Sequence, residues 1–267
     1  MLSPVHVLDS LRAKPERASV LIQELDMAIT QFHATIPYKV SSQVDQQTKQ
    51  RTFYAHFTDD VPLDIATVIG NILHDLRSSL DHLAHHLVCV GTGSQGPFPY
   101  VYFPIFKSAQ AYQTGKSDKI RGMRPEAIKA IDSLEPYFGG SGRVLWDLHK
   151  MNNIDKHRLL IPVLGILTAH TMPTSRREHY EKILRERFPA GMVFPLMNAE
   201  NGPVFLKDEG PMFAWPSADL PDEMQFRIQI AFGEPDVVKG KAVVPTLENM
   251  VRIVLEIIED FEAKGLL

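Results

Sequence analysis

The strongest constraint in this chain is the run from Leu63 to Val90, in which Ile65, Ile69, Ile72, Leu76, Leu80, Leu83 and Leu87 recur every three or four positions. That spacing is the period of an α-helix with one apolar stripe. A helix of this length with an unbroken stripe has to be a central element of the core. Asp59, Asp60 and Pro62 before it form a helix-start signal, and the Gly- and Pro-rich run from Gly91 to Pro104 after it reads as a loop.

The other elements are arranged around this helix. Residues 13–34 carry Leu21, Ile22, Leu25, Ala28, Ile29 and Phe32 at helical spacing, which predicts a helix packing one stripe. The aromatic-rich run from Gln50 to Phe57 predicts a strand. Further helices are expected over Pro125–Leu134, and after Gly139, Gly140 and Gly142 through Trp146 and His149 to His157. The glycine run lacks the Lys-Ser/Thr of a phosphate-cradling loop and reads as a linker.

Ser175–Phe188 interleaves Arg176, Arg177, Lys182, Arg185 and Arg187 with Glu178, Glu181 and Glu186, the pattern of a solvated, salt-bridged helix face. Asn201–Gly202 is a hairpin signal between two apolar runs. Phe226, Ile228, Ile230 and Phe232 alternate as in a half-buried strand, with Lys239–Val244 as its expected partner. A last helix is expected from Thr246 through Phe261, stopping at Gly265. The expected fold is α+β, mainly α. A helical core comes from residues 1–170, and residues 171–267 add small antiparallel β elements and a C-terminal helix, as a separate domain or wrapped on the core.

Composition narrows the function classes. With 267 residues, 44% hydrophobic and 22% charged, the chain can bury a core and is not a disordered polymer. A formal charge of −4 argues against coating nucleic acid through the overall field, yet leaves room for a local basic site. The single cysteine, Cys89, can form no intramolecular disulfide and sits among Leu87, Val88 and Val90 as apolar filler. Charged residues from Asp9 to Arg17 precede any long apolar run, so no secretory signal is expected. The longest apolar stretch, Leu159–Ala169, is broken by Pro162 and Gly165 and falls well short of the roughly 20 residues of a membrane helix. A cytoplasmic protein with no membrane association is the expectation.

The helix at 63–90 also concentrates the chemistry. At about 100° per residue, with Leu76 facing the core, Asn71, His74, Ser78, Asp81 and His85 fall on the opposite side. Asp75, Ser79, His82 and His86 form an adjacent stripe, and Arg77 flanks the other edge. Four histidines and two aspartates between His74 and His86 depart from the Lys and Glu of a merely solvated helix. A second cluster, His149, Asn152, Asn153, Asp155, Lys156, His157 and Arg158, is dense in groups that bind phosphate or orient an imidazole. If its helix packs beside the first, Asp155 or His157 could complete a site.

The segment Arg77–His82, Arg-Ser-Ser-Leu-Asp-His, resembles the Arg-x4-His motif of HEPN-domain proteins, a helical family that includes many metal-independent ribonucleases. The wider run Ile69–His82, with Phe103–Ile105 and Asn153–Arg158, also looks like a widespread set of bacterial proteins that brings no established activity. The HEPN resemblance implies that His82 handles the proton of a ribose 2′-hydroxyl while Arg77 stabilises the phosphate. His74, Asp75, Ser78, Asp81, His85, His86, Asn153, Asp155 and His157 would support that pair. It also implies an RNA substrate, no cofactor, and a homodimer, because positions five apart lie about 140° apart on a helix and the cleft needs completion.

Two other readings stand beside it. His82 and His86, spaced i and i+4, could hold a divalent metal with Asp75 or His157 in a metal-dependent hydrolase, although His-Leu-Ala-His-His lacks a metalloprotease glutamate. A non-catalytic helical binding or dimerisation module would instead use the polar face as an interface, its histidines satisfied by hydrogen bonds.

Overall fold

A computed structural model describes residues 4–36, 38–48, 51–160, 162–167, 204–205, 211–215, 227–233 and 237–267. The fold is mainly helical α+β. Helix α1 (Pro4–Ala34) is followed by strands β1 (Tyr38–Val44) and β2 (Arg51–Phe57), and then by α2 (Leu63–Thr92). Helices α3 (Ala109–Gly115), α4 (Pro125–Ser133) and α5 (Arg143–Asp155) come next. Strands β3 (Pro162–Leu167), β4 (Val204–Phe205), β5 (Pro211–Trp215) and β6 (Arg227–Phe232) precede the last helix, α6 (Val243–Ala263). Among the described residues no helix is long and apolar enough to cross a membrane.

Helix α2 is the hub, with α1, α5 and α6 all packed on it. Ile69, Ile72, Leu73, Leu76, Leu80 and Leu83 are fully buried, as the apolar period demands, and each contributes about 1.5–3 kcal/mol relative to exposure. The first helix offers Leu11, Ala18, Ile22, Leu25, Ile29 and Phe32 to the same core, and α6 offers Leu247, Val254, Ile258 and Phe261. Gly93 ends α2 in the left-handed region at φ 68°, where its N–H donates to the Cys89 carbonyl at 2.9 Å.

The strands form two antiparallel three-stranded sheets, in the orders β1-β2-β5 and β4-β3-β6. In the first, Tyr38 pairs with Phe57, and Arg51 pairs with Trp215. In the second, Pro162 pairs with Phe232. The first sheet therefore joins an N-terminal hairpin to a strand from the far end of the chain, whereas the second is built from residues 162–232 alone.

Several expectations are revised. The first helix begins well before residue 13 and runs through Pro15. Strand β1 and helix α3 had no clear periodic signal. The apolar stretch near Leu159–Ala169 contains a strand, β3, and that strand, not Lys239–Val244, is the partner of β6. Residues 239–244 make only a bridge, Ala231 to Ala242, before turning into α6, because the helical stripe of α6 recruits Val243 as a buried first residue. The Ser175–Phe188 helix and the Asn201–Gly202 hairpin lie outside the described residues.

The polar stripes of α2 are also revised. Asp75, Arg77 and Ser79 are buried, at 4%, 7% and 1% exposure, because helices cover α2 on more than its apolar side. Asp75 lies between Lys14 Nζ at 3.5 Å and Arg17 Nε at 3.6 Å, and Ser79 donates to the Leu11 carbonyl at 2.9 Å. These two side chains tie α2 to α1.

Candidate functional site

The two polar clusters of the sequence meet where α5 packs on α2. Gly70 makes the close approach possible at one end of this seam: a Cβ there would lie 2.5 Å from Oδ2 and 2.6 Å from Oδ1 of Asp155. The Asp155 carboxyl is pushed up by burial and partly held down by the nearby His74, and its Oδ1 is buried without a hydrogen-bond partner. His74 itself is exposed.

Arg77 holds the middle of the seam with all three guanidinium nitrogens. Nη1 forms an ion pair with Asp81 Oδ1 at 2.7 Å, Nη2 donates to the Phe103 carbonyl at 3.1 Å, and Nε donates to His149 Nδ1 at 3.3 Å. Asp81 Oδ1 also accepts from the Phe103 N–H at 2.9 Å. One i, i+4 pair on α2 therefore clamps both polar groups of a single loop residue, whose ring is fully buried. Burial lowers the Arg77 pKa and the Asp81 charge opposes that shift, so the buried cation is paired.

His149 is pushed down to about 4, by burial first and then by Arg77, Lys119, Lys156 and Lys150. The imidazole is neutral near pH 7. Because Nδ1 accepts from Arg77, the proton sits on Nε2, which lies 3.0 Å from Asn153 Nδ2; exchanging the amide oxygen and nitrogen of Asn153 turns this contact into a hydrogen bond donated by Nε2–H. Lys119 is half-buried, its Nζ 5.2 Å from the Tyr102 ring centroid and 5.8 Å from that of Phe106. Burial and then the Arg77 charge lower its pKa, while Asp81 opposes them.

His82 belongs to a different surface. With His85, His86 and Cys89 it lines a cleft of about 310 Å³ between α2 and the first turns of α1, closed by Val7, Ser10 and Leu11. Burial, Lys14 and His85 lower the His82 pKa against the opposing Asp81 charge, and burial followed by His85 lowers that of His86. His86 Nε2 is buried with no hydrogen-bond partner. His85 Nδ1 lies 3.5 Å from Cys89 Sγ, and burial raises the Cys89 thiol pKa. The lowered values of His82 and His86 favour their neutral, proton-accepting form.

Arg77 and His82 are thus not brought together within one chain. Asp81 stands between them, paired with Arg77 and acting on His82 only through its charge. Of the supporting residues, Asp81, Asn153, Asp155 and His74 lie along the seam, Ser78 is half-buried, and His157 is exposed beyond the end of α5. His85 and His86 join the cleft, whereas Asp75 is spent on the basic residues of α1. The alternative metal set of His82, His86, Asp75 and His157 does not assemble: among the described residues no three His, Cys, Asp or Glu side chains are placed to hold an ion.

Three participants were not assigned a role from the sequence: His149 as the partner of Arg77, Lys119, and the Phe103 peptide. For His149 a signal existed in its i, i+4 spacing to Asn153. Lys119 and Phe103 reach the site only through a loop. The chain matches no family model, no curated protein and no solved structure.

Proposed function

We propose that the protein is a metal-independent ribonuclease that docks the phosphodiester of RNA on the cationic α2–α5 seam. The observation that carries this reading is the environment of His149, where Arg77, Lys119, Lys156 and Lys150 all act on one half-buried imidazole. Asp81 pairs with only one of these cations, in a chain whose formal charge is −4. A local field of the opposite sign to the whole molecule favours an anionic ligand. Arg77 spends its Nε–H on His149 and one Nη2–H on the Phe103 carbonyl, and its Nη1 is buried beside Asp81 without a hydrogen bond, which leaves the second Nη2–H for a phosphate oxygen.

His82 is the proton acceptor in this reading. It is exposed, and its lowered pKa keeps it unprotonated near neutral pH. The 2′-hydroxyl passes its proton to the imidazole and attacks phosphorus, and the bond to the 5′-oxygen breaks. That oxygen takes up a proton from solvent and the imidazolium gives its proton back to solvent, leaving a 2′,3′-cyclic phosphate and a 5′-hydroxyl. Since Arg77 and His82 do not converge in one chain, a second copy would supply the missing partner, and the active form is a homodimer. His149 and Asn153 act as positioning residues that aim Arg77.

A second reading, a non-catalytic helical binding module, is favoured by the 7% exposure of Arg77 and its three internal contacts. The two separate on incubation with end-labelled single-stranded RNA, with and without a chelator, alongside His82→Ala and Arg77→Ala. Cleavage that survives chelation and vanishes in a folded His82→Ala protein supports the ribonuclease. No cleavage under any condition gives the binding module, and cleavage abolished by the chelator rejects a metal-free mechanism.

A further inference from the structure

The loop between α2 and α3 runs back along α2. Phe98 packs against His85 with ring centroids 5.5 Å apart, and Phe103 is bonded to Asp81 and Arg77 through its backbone. Between these anchors the loop turns two aromatic rings to solvent, Tyr100 at 75% and Tyr102 at 49% exposure. Tyr100 does so at φ +73°, a left-handed conformation that a bulky residue adopts only where the surrounding structure imposes it. Exposed rings on a loop pinned at both ends mark a surface that meets a ligand.

The cations beside these rings identify the ligand. Lys119 covers one face of Tyr102 and feels the charge of Arg77, so ring and seam are continuous. Eight residues separate His85 from Arg77, about 12 Å along the helix axis, or roughly three to four nucleotides at about 3.4 Å each in a stacked strand. A base offers a π-face to a tyrosine whatever its identity, but only in a strand whose bases are not already paired and stacked in a duplex.

We propose that Tyr100 and Tyr102 form a stacking platform for the bases of single-stranded RNA, with Lys119 and Arg77 tracking its phosphates. This rests on the ribonuclease reading for the class of ligand and deepens it by selecting unpaired strands. Binding and cleavage are separately measurable, so either idea can fail alone.

The probe is a fluorescently labelled 2′-O-methyl RNA 12-mer, which lacks the attacking hydroxyl, compared by anisotropy with the same strand in a duplex. The wild-type chain is expected to bind the single strand more tightly. Tyr100→Ala/Tyr102→Ala should weaken binding roughly ten- to a hundred-fold, whereas Tyr100→Phe/Tyr102→Phe should stay within about two-fold, because the ring and not the hydroxyl stacks. Equal affinity for strand and duplex, or an unchanged double-alanine variant, overturns the platform even if unmodified RNA is still cleaved. Platform-dependent binding without cleavage of unmodified RNA retains the platform and removes the ribonuclease.

Discussion

Arg77 Nε donates to His149 Nδ1 at 3.3 Å, joining two helices whose contributing residues lie seventy-two positions apart. The bond sets the tautomer of the histidine, aims the guanidinium, and connects it to the amide of Asn153. Structure and proposed chemistry therefore share residues, and experiments must separate them.

Removing the guanidinium should cost stability. Arg77→Ala leaves Asp81 Oδ1 and the Phe103 carbonyl without their cation, and a loss of about 2–4 kcal/mol is expected, at the lower end because Asp81 keeps partial solvent access. His82→Ala, on an exposed position, should stay within about 0.5 kcal/mol. Urea denaturation reads both, and an Arg77→Ala protein as stable as wild type would show that the clamp contributes nothing to folding.

Acid should weaken the fold before the carboxylates titrate. His33, His82, His86 and His149 are held below the usual imidazole value, chiefly by burial, His149 at about 4. Unfolded, each titrates near about 6.5, so below that pH the unfolded chain binds more protons and gains relative stability. The histidine contribution is complete above this unfolded value and is lost as pH falls toward the folded values. Asp155 has the opposite sign: its raised value makes a contribution that is complete below its unfolded pKa and is lost as pH rises. The urea midpoint is expected to drop between about pH 7 and pH 5; a flat or rising midpoint would contradict this balance.

The depression of His149 has a directed test. Lys119→Gln removes one of the cations acting on the imidazole, so the His149 pKa should rise from about 4 toward the ordinary value. Histidine-resolved NMR titration measures this, and an unmoved or lowered value would mean that Lys119 does not act on the ring.

Gly70 and Asp155 should be coupled. Gly70→Ala gains about 1 kcal/mol of helix propensity but drives a methyl against the Asp155 carboxyl, with net destabilisation of about 1–3 kcal/mol expected. In an Asp155→Ala background the same substitution should stabilise by about 1 kcal/mol. Additive behaviour in this double-mutant cycle would rule out the close contact.

The core of the fold was legible because it is periodic. Seven apolar residues from Ile65 to Leu87 and the stripe ending at Phe261 specify helices through local spacing alone, and both are present. The strand at 51–57 announced itself through its aromatic and alternating residues, but its neighbour in the sheet, Pro211–Trp215, did not, since pairing is decided by distant chain. For the same reason β6 takes Pro162–Leu167 as its partner and not the nearer residues 239–244.

The sequence by itself determined a mainly helical chain, a central helix at 63–90, and a crowd of His, Asp and Arg side chains on it. Only the tertiary structure decided which of those groups meet. A helical wheel knows one apolar face, whereas α2 is covered by α1, α5 and α6, so Asp75 and Arg77 are interior and His82 and His85 are not. Burial and the company of distant charges then set the protonation of His149, and His149 and Lys119 join the site through packing that no local pattern encodes.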